Sequence, residues 1–202
     1  FGGGDTPRVS TSPKESDLED IAKWISEARR QSDLVVVSIH AHEGQNSDMN
    51  TQDIADFIVP MARHWIDAGA DVFVGHGPHT LRALEIYKGK PIFYSLGNFI
   101  FQNESVLRLP NEAYRRFGLG YDQTPGDYLD TRSGGGTRAF AGDPIFWQSV
   151  VAVCIYAGGN LKEIVLHPID MGHGRPIAQR GRPVLAEGPI AQRTLTWLRD
   201  VS

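Results

Sequence analysis

The sequence predicts an α/β fold, and three observations carry that prediction. A helical apolar stripe precedes each of two short apolar runs, both runs end in histidine, and the later apolar runs come in pairs joined through glycine. With 202 residues, 41% of them hydrophobic, and four Trp, the chain is long enough to bury the core of one domain.

The first helix is predicted from Ser16-Asp17-Leu18-Glu19, which has the spacing of a capping box, and from Leu18, Ile21, Ala22, Ile25 and Ala28, which form one stripe ending near Arg30. Leu34 to Ile39 is β-branched and lacks polar alternation apart from Ser38, the pattern of a strand covered on both faces in a parallel sheet. His40 follows it. After a polar loop, Thr51 is the expected N-cap of a second helix along Ile54, Ile58, Met61, Ala62 and Trp65, with Pro60 as a potential kink and Gly69 as its stop. Asp71 to Val74 is then a second buried strand, running into Gly75-His76.

Leu81 to Tyr87 and Pro91 to Leu96, separated by Lys88-Gly89-Lys90, predict a hairpin where the sheet turns antiparallel. From Gln102 to Asp143 the composition shifts to Gly, Pro, Asp and Arg without usable periodicity, so this stretch is expected to be an irregular insert or lid. Pro144 to Tyr156 and Leu161 to Leu166, joined at Gly158-Gly159-Asn160, predict another hairpin. Ala186 to Val201 predicts a closing helix with Leu195 and Leu198 inward.

The charge pattern excludes one class of partner. The formal net charge is −4 and the Lys and Arg residues are scattered, so the sequence lacks the basic stripe needed to neutralise a phosphate backbone, and no nucleic acid is expected as a ligand. Nor does any run reach the roughly 18 apolar residues that a membrane-crossing helix needs, so no membrane span is expected in this segment. Cys154, the single cysteine, lies in an apolar run and reads as a small buried side chain. The opening Phe1-Gly2-Gly3-Gly4, followed by Pro7, Ser10, Thr11, Ser12 and Pro13, looks like the middle of a longer protein.

The chemistry is carried by histidines. In open α/β sheets ligands gather at the carboxyl ends of strands, and His40 and His76 both stand there. His79 follows in Gly75-His76-Gly77-Pro78-His79, where Gly and Pro turn the backbone sharply enough for both rings to face one spot. Imidazole suits Zn, Mn, Fe and Ni, and three imidazoles plus water can complete a catalytic zinc site. His42, beside Glu43, reads as a ligand, a substrate contact or a loop residue, with substrate contact or structure preferred. His64, His167 and His173 read as solvated or hydrogen-bonded residues.

Two blocks resemble a known family. Asp-Leu-Val-Val-Val-Ser-Ile-His-Ala-His-Glu-Gly, residues 33–44, looks like the CapA (poly-gamma-glutamate capsule) segment in which a strand ends in Val-Ser-x-His. The run from Ala68 to His79, continued by Glu85 to Phe99 with its Tyr94-Ser95-Leu96-Gly97-Asn98-Phe99, is similar to that family's signature almost throughout. The resemblance implies a calcineurin-like metallophosphatase fold, an αββα sandwich with one or two divalent metal ions (Mn, Zn, Fe or Mg) at the strand ends. It further implies that His40 and His76 are metal ligands and that His79 is a ligand or a catalytic group beside the metal. In that fold the acidic ligands come from earlier strands, and Asp5 is the only acidic residue here before the first helix. The chain is therefore expected to be the C-terminal part of one such domain, with the N-terminal half of the same protein as its partner.

Two departures from the family pattern concern the pocket. Many CapA proteins carry Trp-Gly after the first His where this chain has Ala41-His42-Glu43-Gly44, and the 102–143 insert exceeds what a minimal member needs. Glu43, Asn98 and Trp147 are the candidate substrate-binding residues, and His79 and His42 the candidate catalytic ones. For Asn98 an equal alternative is a structural amide; for Trp147 and Asp143, a core aromatic and a solvated carboxylate. The family implies metal-assisted chemistry on a peptide-like (poly-gamma-glutamate type) or phosphorylated substrate. Its alternatives are peptide epimerisation with the same residues and a non-catalytic role in capsule polymer synthesis or export. The cellular location, cytoplasmic or at the cell envelope of a bacterium, is left open by these residues.

Overall fold

A computed structural model describes residues 9–202; Phe1 to Gly4, Asp5 and Pro7 lie outside them. The chain is α/β, as its patterning predicts, and builds two sheets. The first has the order β1-β2-β4-β3, where β1 is Val36–His40, β2 Val72–His76, β3 Leu84–Tyr87 and β4 Lys90–Phe93. Strands β1, β2 and β4 run parallel, and β3 returns antiparallel through the Lys88-Gly89 turn, where both residues have positive φ. The second sheet is the long hairpin of β5 (Gln148–Ala157) and β6 (Asn160–Asp170), edged by the two-residue β7 (Val184–Leu185).

Helices α1 (Glu15–Arg29) and α2 (Ile58–Asp67) pack over the first sheet, where Ile25, Met61, Trp65, Phe73 and Ile92 form the main core. Leu81, Val150 and Leu198 join the first sheet to the second and to α6 (Gly188–Val201). Ser149 Oγ fastens the same junction by donating to the Leu96 carbonyl at 2.5 Å.

Several expectations need correction. Strand β1 is not covered on both faces: Val36, Ser38 and His40 are exposed and alternate with half-buried Val37 and Ile39, because β1 is an edge strand with helices on one side of it among the described residues. The first helix is capped by Lys14 without a side-chain bond, and Ser16 lies within it, its hydroxyl donating to Asp17 Oδ1. Thr51 does not cap α2, which begins at Ile58 after Phe57. The residues between are held in a loop by Arg82, whose Nε donates to the Thr51 carbonyl. Pro60 falls in the first turn of α2, where a missing N–H costs nothing, so it introduces no kink.

The 102–143 insert is not irregular throughout. It folds into α3 (Asn111–Arg116), α4 (Pro125–Ser133) and α5 (Ala139–Gly142). Helix α4 has a complete local code: Thr124 and Asp127 form a reciprocal capping box, Pro125 opens the first turn, and Gly134 closes it at φ 58°. In α6 the inward residues are Thr194 and Leu198, whereas Leu195 is 36% exposed. Cys154 is half-buried, and burial pushes its thiol above the usual pKa. No helix among the described residues is long and apolar enough to cross a membrane.

Candidate functional site

Parallel pairing of β1 with β2 places His40 directly opposite His76, the last residue of each strand. Register alone thus brings two imidazoles to one rim of the sheet, with Nδ1 of His40 2.9 Å from Nδ1 of His76. His40 turns its other nitrogen the opposite way, and its Nε2 stands 3.0 Å from Nε2 of His42. His42 in turn lies beside His79, ring centroids 5.5 Å apart. Four histidines therefore form a connected row, 76-40-42-79.

The row is held by amides rather than carboxylates. Nδ1 of His42 lies 2.7 Å from Oδ1 of Asn50, and Nδ1 of His79 lies 2.9 Å from Oδ1 of Asn98. The Asn98 amide is oriented independently, because its Nδ2 donates to the Phe146 carbonyl at 3.0 Å. An amide oxygen only accepts, so Nδ1 of each ring carries the proton and Nε2 presents a lone pair. With His42 Nε2 accepting, His40 donates from Nε2 and accepts at Nδ1 from His76. One tautomer of each ring thus satisfies the whole neutral row.

Backbone geometry sets His79 in place. Gly75 packs against the Tyr94 backbone too closely for a Cβ, and Gly77, at φ 117°, would bring one within 3.0 Å of the Ala41 nitrogen. His79 itself has φ 63°, a left-handed conformation uncommon for a non-glycine residue and typical of functional turns. Burial pushes the His79 imidazole below its usual pKa, helped by the charges of His42, His40 and Arg132, while the Asn98 bond works the other way. The His76 pKa is likewise lowered by burial and by His40.

Arg82 is a residue that the sequence reading missed. It is 1% exposed and has no carboxylate in contact among the described residues. Its guanidinium instead donates to the carbonyls of Thr51 (3.0 Å) and Glu43 (2.9 Å), clamping the loop that carries His42 and Asn50. Burial lowers its pKa to about 10 despite the charges of Asp53 and Glu43. An isolated Arg in a β-like run gives no sequence signal for this clamp. Asn50, at φ 58°, was also missed; it resembles any turn residue until the fold folds His42 back onto it.

The remaining candidates fall around this row. Asn98 contacts His79 directly. Trp147 is 1% exposed, packed edge-on to Phe101 and donating from Nε1 to the Phe140 carbonyl at 2.6 Å. Its aromatic-core reading is therefore the one that its burial matches. Phe101 and Phe140 form the wall that His79 meets, the latter with ring centroids 4.8 Å apart. Glu43 has an exposed side chain, and its backbone pairs with Met49. Asp143 caps the turn at Pro144–Trp147 by accepting from the Ile145 N–H. His64, His167 and His173 are exposed and apart from the row.

In donor type the row fits a divalent transition metal. Two nitrogens about 2.1 Å from one ion and at right angles to each other lie about 3 Å apart, close to the His40–His76 separation. A closed three-histidine cage does not form, since His40 faces His76 and His42 with opposite nitrogens and His79 meets His42. Among the described residues no three His, Cys, Asp or Glu side chains close on a common point. Among the described residues the cluster is thus an open row of imidazoles rather than a closed cage.

Residues 4–103 match the family described as bacterial capsule synthesis protein PGA_cap. Along most of its length the chain is similar to the protein y4sH of Sinorhizobium fredii, 38% identical over a 197-residue alignment that covers 92% of this chain and 41% of that protein. It is also similar to the PGA biosynthesis protein CapA of Bacillus subtilis, 44% identical over 86 residues (43% of this chain, 21% of the relative). The capsule biosynthesis protein CapA of Bacillus anthracis is 40% identical over 102 residues (50% and 23%). The chain spans less than half the length of these relatives.

Proposed function

The chain belongs to the bacterial capsule synthesis family PGA_cap, and from that premise we propose that its histidine row is the imidazole part of a metal-dependent active centre acting on a poly-gamma-glutamate type polymer. The observation that supports this most is the in-register pair His40 and His76, with ring nitrogens 2.9 Å apart at the carboxyl ends of adjacent parallel strands. The named CapA relatives, through what their names say of capsule and PGA biosynthesis, point to the substrate class.

On this reading His40 and His76 hold a divalent ion, with the other ligands coming from earlier strands of the same domain. When bound, such an ion supplies Lewis acidity, polarising an oxygen and acidifying water. His79, kept neutral by burial and fixed by Asn98, offers Nε2 as a general base next to that position. His42 couples to the row through His40 and holds the second proton-accepting nitrogen. The aromatic wall of Phe101 and Phe140 shields His79 from bulk water.

The test is incubation of the full-length protein, loaded with Mn or Zn, with poly-gamma-glutamate in heavy water. Shortened chains without deuterium at the alpha carbon are the expected products. Deuterium at an alpha carbon without cleavage would replace hydrolysis with epimerisation, and an unchanged polymer would favour a non-catalytic role in synthesis or export.

A further inference from the structure

The insert that the family resemblance leaves unexplained ends on the histidine row. Helices α4 and α5 bring Phe140 edge-on to His79 at 4.8 Å, and the guanidinium of Arg132 lies 5.2 Å from the Phe140 ring centroid, on α4. Phe140 is itself anchored, edge-on to Phe101 and Phe146 and with its carbonyl bound by Trp147. The insert is therefore seated by buried aromatic contacts rather than lying loosely over the site.

Arg132 is half-buried, yet among the described residues it has neither an ion pair nor a hydrogen bond. Its neighbours differ: Arg138 donates to the Thr131 carbonyl, and Arg180 pairs with Glu104 while lying over Trp147. Arg132 is moreover the cation, apart from the histidines, whose charge bears on His79. The guanidinium is thus a fixed positive charge near a row of neutral imidazoles, with no ion-pair partner among the described residues, and its position over Phe140 leaves its planar fork free. That arrangement suits bidentate binding of a carboxylate from outside the chain.

We propose that Arg132, presented by the insert over Phe140, is a specificity-determining residue that binds a carboxylate of the substrate next to the histidine row. The proposal rests on the reading of that row as the active centre on a gamma-linked glutamate polymer, each residue of which carries a free alpha-carboxylate. The insert is then a recognition arm, selecting an acidic chain over its uncharged counterpart.

Binding of two probes by calorimetry tests this in the full-length protein. One is a gamma-linked glutamate hexamer, and the other is the same hexamer with every alpha-carboxylate converted to the amide. Wild-type protein is expected to prefer the acid at least tenfold. Arg132→Gln is expected to lose that preference without weakening the amide, Arg132→Lys to keep part of it, and both to melt with the wild type. Undiminished preference in Arg132→Gln overturns the role of Arg132 and leaves the active-centre reading intact. Wild-type protein that binds neither hexamer overturns both. Inorganic phosphate serves as a third probe: if it binds with the Arg132 dependence that the hexamer lacks, the carboxylate assignment is overturned.

Discussion

His79 gathers three constraints in one residue: a left-handed backbone, an amide that orients its ring, and an aromatic wall that partly buries it. The role of Asn98 is to choose the tautomer. Replacing Asn98 with Leu removes the acceptor that keeps the proton on Nδ1, and it strands the Phe146 carbonyl as well. Nitrogen-15 spectra of the His79 ring are expected to change from a single Nδ1–H form to a mixture, and activity to fall about tenfold to a hundredfold, the usual size of losing an orienting partner. A spectrum identical to wild type would remove Asn98 from this role. The sequence marked His40, His76 and His79 because they end strands or follow a Gly-Pro turn. It could not settle His42, whose part depends on a loop folding back so that Asn50 and Arg82 both reach it.

At the scale of elements, the junction of α1 with the first sheet is held by two ion pairs to one carboxylate. Asp71, at the entrance to β2, is 4% exposed and accepts from Arg29 (2.7 Å), from the Val35 N–H (2.9 Å) and from Lys90. Burial alone pushes its carboxyl up, but the Lys90 bond, the Val35 amide and the charges of Lys90 and Arg29 outweigh that and leave it below the usual range. A carboxylate depressed in the folded state stabilises above its unfolded pKa of about 3.9, and the contribution fades as pH falls through the lower folded value. Asp71→Ala is therefore expected to cost about 3 kcal/mol at neutral pH, and less in acid melts as wild-type Asp71 protonates. A cost that is constant from neutral pH to pH 2 would contradict the ion-pair account.

Elements were legible where local code and burial agree. Strand β2, the β3-β4 and β5-β6 hairpins and both flanking helices follow from apolar pattern and glycine turns. The start of α2 was misread because Thr51 and Ile54 continue a plausible helical stripe, and only the distant Arg82 holds those residues in a loop. Helix α4 was overlooked for the opposite reason. Its capping box and Gly134 stop are present, but its low apolar content hides a surface helix from periodicity.

For the whole molecule, the two sheets and their linking core place every member of the histidine row on one rim, and the insert reaches that rim through Phe140, which packs against Phe101, Phe146 and Trp147. The fold class could be read from the order of elements. Convergence of the rings could be anticipated only as far as two strand ends, because the β1-β2 register that aligns His40 with His76 is a tertiary fact. Exposed Val36 (55%) and Trp24 (73%) show that β1 and α1 carry apolar surface not covered by the described residues.

Equilibrium binding of Mn or Zn to the full-length protein, followed by metal analysis alongside thermal melting, tests the central claim most directly. Stoichiometric metal is expected in the wild type, and a loss of at least a hundredfold in affinity in His40→Ala and His76→Ala, each melting within a few degrees of wild type since both side chains are exposed. Full metal occupancy in either variant would contradict the assignment of these two histidines as ligands.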